Sequence, residues 1–132
     1  MKKAGLLNLD LNTVLASLGH TDTIVIADCG LPIPDDVRRV DLALIKGEPS
    51  FLSVLDRVLD EMVVERCTVA QEVREANPVI DNEICKRFNH DSIQYITHEE
   101  LKQQLKNAKA VVRTGEATPY ANIILHAGVN FS

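Results

Sequence analysis

The sequence predicts an α/β domain of three layers, built on a mostly parallel sheet. Three observations carry that expectation. Segments of helical period alternate with short apolar runs along the whole chain. The run at residues 23–28 is nearly all apolar rather than alternating, as suits a strand covered on both faces. The connections between segments are short, so each helix must pack back onto the strands beside it. The order of the strands is not readable from this pattern. With 132 residues the chain forms one domain, 1–132.

The elements follow in order. Leu11, Val14, Leu15 and Leu18 share one helical stripe, with Asn8 or Asp10 available as N-cap and Gly19 suited to the end. Ile24, Val25, Ile26 and Ala27 make a β-branched strand over residues 23–28, and residues 29–38 read as an irregular loop around Pro32 and Pro34. "VDLALI", residues 40–45, predicts a strand ending at Lys46-Gly47. Ser50 caps a helix whose apolar face is Phe51, Val54, Leu55, Val58 and Leu59. A strand from Val63 to Val69 is followed by a short helix up to Asn77, punctuated by Pro78. Ile80, Ile84 and Phe88 predict a further helix, and Ile93 and Tyr95 a strand. Thr97 and Glu100 have the spacing of a capping box, with Leu101 and Leu105 behind them. Two strands close the chain, Ala110 to Val112 and Ile123 to about Ala127, joined by the loop "RTGEATPYAN".

Composition bounds the function. Apolar residues make up 45% and charged residues 25%, an ordinary soluble balance, and the net charge of -5 disfavours nucleic acid or an anionic membrane as partner. No run approaches the 18 apolar residues or so that a membrane span needs. The three cysteines, Cys29, Cys67 and Cys85, lack zinc-site spacing and read as small buried hydrophobes in a reducing, cytoplasmic compartment. G-x-G-x-x-G, Walker A, H-E-x-x-H and G-x-S-x-G motifs are absent, and the histidines lack ligand spacing.

In such folds the chemistry gathers beyond the carboxyl ends of the strands. Asp28 stands at such an end, either tying down the following loop through backbone N–H groups or serving a ligand. His20, between a helix end and a strand, is either a cap or a general acid–base suited to neutral pH. His98 would occupy the first helical position after Thr97, where the helix dipole favours a neutral ring that positions a hydroxyl; otherwise it packs over Leu101. Gly115, Pro119, Tyr120 and Asn122 form a loop fit to read a polyhydroxylated ligand, or an ordinary surface loop. His126 reads as a satisfied core or interface histidine and His90 as exposed.

The blocks "GLLNLDLNTVLASLGHTDTIVIADCGLPIP", "RRVDLALIKGEPSFLSVL" and "RTGEATPYANIILHAGVNF" resemble the D-ribose pyranase family from about Lys3 to Phe131. The resemblance implies a cytoplasmic mutarotase that interconverts the pyranose and furanose forms of ribose ahead of phosphorylation. It places the catalytic histidine on His20 and the sugar contacts on Asp28, His98, Tyr120, Ala121 and Asn122. It also implies a homo-oligomer of two stacked five-membered rings, a decamer, with sites where subunits meet. A histidine can move the protons of ring opening with no metal or cofactor. L-Fucose mutarotases are related, so fucose is the rival substrate, and a non-catalytic sugar-binding or sensing module is the rival class.

Overall fold

The computed structural model describes residues 1–131. Its elements are α1 (Leu9–Ser17), β1 (Thr23–Ala27), β2 (Arg39–Asp41), α2 (Phe51–Leu59), β3 (Val64–Ala70), α3 (Val73–Ala76), α4 (Pro78–Arg87), β4 (Ile93–Ile96), α5 (His98–Gln104), β5 (Ala110–Arg113) and β6 (Ile123–Ala127). Two 3₁₀ turns, His90–Ser92 and Leu105–Asn107, flank β4 and α5.

The strands form one six-stranded sheet in the order β2-β5-β1-β6-β3-β4. The pairs β1–β5, β2–β5 and β3–β4 are parallel, whereas β6 runs antiparallel to both β1 and β3. The sheet is therefore mostly parallel, as expected, with its last strand reversed in the middle. The short loop before β6 explains the reversal: it turns back at the same edge where β5 ends, leaving no crossover to restore the parallel direction.

Successive side chains of each strand go to opposite faces, and in the inner strands β1, β5 and β6 both faces are buried. Ile24 and Ile26 of β1 pack with Leu11, Val14, Phe51, Leu55 and Ile84 on the side of α1, α2 and α4. Val25 and Ala27 pack with Leu31, Val37, Leu101 and Leu105, under α5 and the 29–38 loop. This double coverage is why the β1 sequence does not alternate. Each fully buried Leu, Ile or Phe contributes roughly 1.5–3 kcal/mol of hydrophobic stabilisation before entropy is counted.

Local chemistry sets the helix ends. Asn8 Oδ1 accepts from Leu11 N–H, Ser50 Oγ from Ser53 N–H and Thr97 Oγ1 from Glu100 N–H, each an N-cap. Pro78 opens α4 in its first turn, where a missing N–H costs nothing.

Three expectations differ. The strand predicted at 40–45 shortens to Arg39–Asp41. Asp41 Oδ1 accepts from Ala43 N–H and pairs with Arg113, turning the chain off this edge, and Leu44 and Ile45 are left exposed. α1 ends on Leu18 in extended conformation, and the left-handed residue of the following turn is Thr21 at φ 74 rather than Gly19. Of the cysteines, Cys67 is buried, with its thiol pushed up to about 12 chiefly by desolvation, but Cys85 is exposed and Cys29 half-buried. Cys85 sits on the solvent side of α4, where helical spacing outweighs its usual preference for the core.

Candidate functional site

The carboxyl ends of β1, β3, β4 and β5 and the start of β6 meet at one edge of the sheet, because β6 is reversed. Asp28 follows β1, and Asn122 immediately precedes β6, its paired neighbour. They clamp each other: Asp28 N–H donates to Asn122 Oδ1 at 2.8 Å, and Asn122 Nδ2 donates to Asp28 Oδ2 at 3.0 Å. Asp28 Oδ1 also accepts from Gly30 N–H at 2.9 Å. The carboxylate thus ties down its loop and also borders a cleft lined by Gly30, Glu116 and Thr118. Asn122 and Ala121 are fully buried, so Ala121 has only backbone to offer.

The turn before them is built with care for its path. Tyr120 has φ 57, a left-handed conformation that costs a bulky residue about 1 kcal/mol or more. Asn77, at the junction of α3 and α4, donates through Nδ2 to Thr118 Oγ1 (3.0 Å) and to the Pro119 carbonyl (2.8 Å). Glu116 accepts from Phe51 N–H and from Thr118 Oγ1, joining the loop to the start of α2. Thr114, fully buried, donates its hydroxyl to the Ala27 carbonyl at 2.7 Å. Gly115 is obligatory here, since a Cβ would lie 2.3 Å from the Glu48 carbonyl oxygen.

His98 opens α5 just beyond β4, and its ring meets Tyr120 edge-on with centroids 5.0 Å apart at 80°. Its Nδ1 is buried with no hydrogen-bond partner among the described residues. Its backbone N–H is taken by both carboxylate oxygens of Glu72, at 3.0 and 3.1 Å. Glu72 thereby takes part in the cap that Thr97 begins, alongside the Thr97–Glu100 contact the spacing predicted. Glu72 and Tyr120 also line a cleft of about 460 Å³ with Gln71 and Arg74.

His20 is elsewhere. It precedes β1, at the opposite end of the sheet from Asp28, and the five residues of β1 alone rise roughly 13 Å between them. Its Nε2 lies 3.0 Å from Glu65 Oε2 at the start of β3. It borders a second cleft, formed by Leu18, Met62, Gly128 and the chain end at Val129 and Phe131. Of the six predicted residues, then, Asp28, His98, Tyr120, Ala121 and Asn122 gather in one region and His20 does not join them within the chain. Asp28 does not orient His20 of its own chain.

Sequence reasoning passed over Glu72, Asn77 and Glu65. Glu72 carried a usable signal, standing just past the carboxyl end of a strand. Asn77 and Glu65 carried none, because their partners are far away in sequence. His126 is buried as expected, its Nε2 lying 2.9 Å from Thr68 Oγ1, and His90 is exposed. Among the described residues no group of three or more His, Cys, Asp or Glu could hold a metal ion, and no helix is long and apolar enough to cross a membrane.

This sheet, with its reversed inner strand and a polar cluster at one edge, is that of a known class. Residues 1–130 match the RbsD / FucU transport protein family, and the chain belongs to it. It is 63% identical over 132 residues to a D-ribose pyranase of Geobacillus thermodenitrificans, covering 100% of both chains. It is 59% identical over 131 residues to a D-ribose pyranase of Bacillus cytotoxicus, covering 99% of this chain and 100% of that one. The structure of Bacillus subtilis RbsD complexed with D-ribose superposes with a TM-score of 0.95 at 50% identity, over 99% of this chain and 100% of that chain. The fucose mutarotase of Streptococcus pneumoniae, solved in complex with L-fucose, gives 0.82 at 26% identity over 95% of each chain.

Proposed function

We propose that the chain is an intramolecular isomerase, a D-ribose pyranase, its residues 1–132 forming one sugar mutarotase domain that exchanges the pyranose and furanose forms of D-ribose. The observation that carries the reading is its near-complete superposition on a ribose-bound relative at 50% identity. The grouping of Asp28, His98, Tyr120 and Asn122 at one edge supports it.

The chemistry asks for proton transfer and little else. In the pyranose, the ring oxygen gains a proton, its bond to the anomeric carbon breaks, and the anomeric hydroxyl loses a proton to become the aldehyde carbonyl. Reclosure reverses these transfers with the neighbouring hydroxyl as nucleophile, so atoms and protons balance. His20 gives the proton to the ring oxygen and recovers one afterwards. Asp28, its carboxylate fixed by Asn122 and Gly30, accepts from a sugar hydroxyl. His98 and the Tyr120–Asn122 segment hold the remaining hydroxyls, Ala121 through its backbone.

His20 and Asp28 lie too far apart in one chain to touch the same pentose. The site is therefore shared: the His20 edge of one copy closes over the Asp28 edge of the next, which is head-to-tail pairing of the kind that forms rings. Two stacked rings of five, a decamer, are the assembly we assign, working in the cytoplasm. Three free thiols suit a reducing compartment.

The test is saturation-transfer NMR on D-ribose, with and without catalytic amounts of protein and with L-fucose alongside. Faster pyranose–furanose exchange is expected for ribose, dropping by about 100-fold or more in His20→Asn with ribose affinity retained. Tight ribose binding without faster exchange would move the reading to a sugar-binding module, and acceleration for fucose alone would move it to a fucose mutarotase.

A further inference from the structure

The carboxylate beside His20 belongs to a residue placed there by an irregularity in the sheet. Along β3 and β6, Val64 pairs with Ala127 and Arg66 with His126, so the ladder slips between them and Glu65 is the extra residue of a β-bulge. A bulge frees its residue from cross-strand pairing and re-aims the side chain, a device frequent beside active sites. Here the freed carboxylate meets His20 Nε2 at 3.0 Å. Gly128 passes close by, and a Cβ there would approach Val63 Cγ1 to 3.1 Å and Glu65 Cβ to 3.4 Å.

The backbone around His20 is fixed independently. Gly19 N–H donates to Asp22 Oδ2 at 2.8 Å, Asp22 N–H to the Gly19 carbonyl at 3.1 Å, and Thr21 N–H to the Ala127 carbonyl at 3.0 Å. The imidazole is thus held at three points: a tethered backbone on each side and Glu65 at one ring nitrogen. Side-chain exposure of 51% for His20 and 42% for Glu65 leaves the rest of the ring open to a ligand.

We propose that Glu65 is a positioning residue for His20, setting its ring orientation and tautomer so that Nδ1 is the nitrogen that exchanges protons with the sugar. The proposal rests on the reading of His20 as the acid. An ionised carboxylate only accepts, so in the neutral ring the proton stays on Nε2 and the lone pair on Nδ1. A proton taken up at Nδ1 is given to the ring oxygen, and one is taken back at the same atom. Nε2–H stays on Glu65 throughout, and no net proton is gained or lost. Within the chain, Asp28 does not compete for this role, being engaged at the far edge with Gly30 and Asn122, and Asp22 Oδ2 is taken by Gly19 N–H.

Two measurements decide it. Long-range proton–nitrogen correlation spectra of ¹⁵N-histidine-labelled protein, with His20 assigned through His20→Asn, should show the neutral Nε2–H tautomer. Ring exchange by Glu65→Gln, whose amide specifies no tautomer, should show kcat lowered about 10-fold or more with KM within about 2-fold. A wild-type Nδ1–H tautomer, or a folded Glu65→Gln protein with unchanged kcat while His20→Asn is inactive, overturns the proposal. Should Glu65→Gln not fold, the wild-type tautomer still decides. Retained exchange in His20→Asn would instead sink the reading of His20 itself, and is distinguished by being measured first.

Discussion

His126 shows what burial does to a single histidine. Its Nε2–H donates to Thr68 Oγ1, whose own proton goes to Gln94 Oε1 at 3.2 Å. Desolvation, aided by the nearby Arg66 charge and opposed by Glu65, holds its pKa below the ordinary histidine range. The unfolded chain therefore binds a proton that the folded one refuses. Stability from this residue is whole above about pH 6.5 and is lost as the pH falls below it. Calorimetry from pH 7.5 to 5.5 should show a falling Tm, with a shallower fall in His126→Gln, whose amide keeps a donor for Thr68. An equal fall in both proteins would assign the loss to other groups. The sequence already marked His126 as buried, because it sits inside an apolar strand. It could not mark Glu65 as the partner of His20, since 45 residues separate them.

Among the elements, α5 links stability to the site most directly. It has seven residues, and it carries His98 in its first position. So short a helix gains little from its own hydrogen bonds and depends on caps and packing. Thr97 Oγ1 and the Glu72 carboxylate supply the caps, and Leu101 and Leu105 supply the packing. Thr97→Ala should cost about 1 kcal/mol in urea denaturation, and Thr97→Ser much less, because it keeps the accepting oxygen. A Thr97→Ala protein of unchanged stability would mean that Glu72 caps the helix alone. The Thr97–Glu100 spacing made this start legible. The arm supplied by Glu72 was not, because it comes from the end of β3 across the sheet edge.

For the whole molecule, the separation of His20 from the other five candidate residues is the governing fact. If neighbouring copies share each site, two inactive variants should rescue each other. His20→Asn retains Asp28, and Asp28→Asn retains His20, so a co-expressed mixture rebuilds intact sites wherever the right edges meet. Random assembly in head-to-tail rings at equal amounts restores about one quarter of wild-type ring exchange. Each variant alone should stay near background. Mixed oligomers verified by native mass spectrometry and yet inactive would show that His20 and Asp28 do not share a site.

By itself the sequence determined the α/β class, most element positions, the two-sided burial of β1 and, through long ordered blocks, the family resemblance. These are properties of periodicity, capping and local propensity, which act between residues near one another in the chain. Tertiary structure decided the rest. It placed the last strand, reversed, between β1 and β3, which brings Asn122 against Asp28 across 94 residues. It cut the predicted 40–45 strand to three residues where Asp41 turns off the edge. It also set His20 at one end of β1 and Asp28 at the other, so that the residues which looked like one site belong to two edges. Pairing between distant strands depends on burial and backbone hydrogen bonds summed over the entire sheet, and no local pattern encodes that sum.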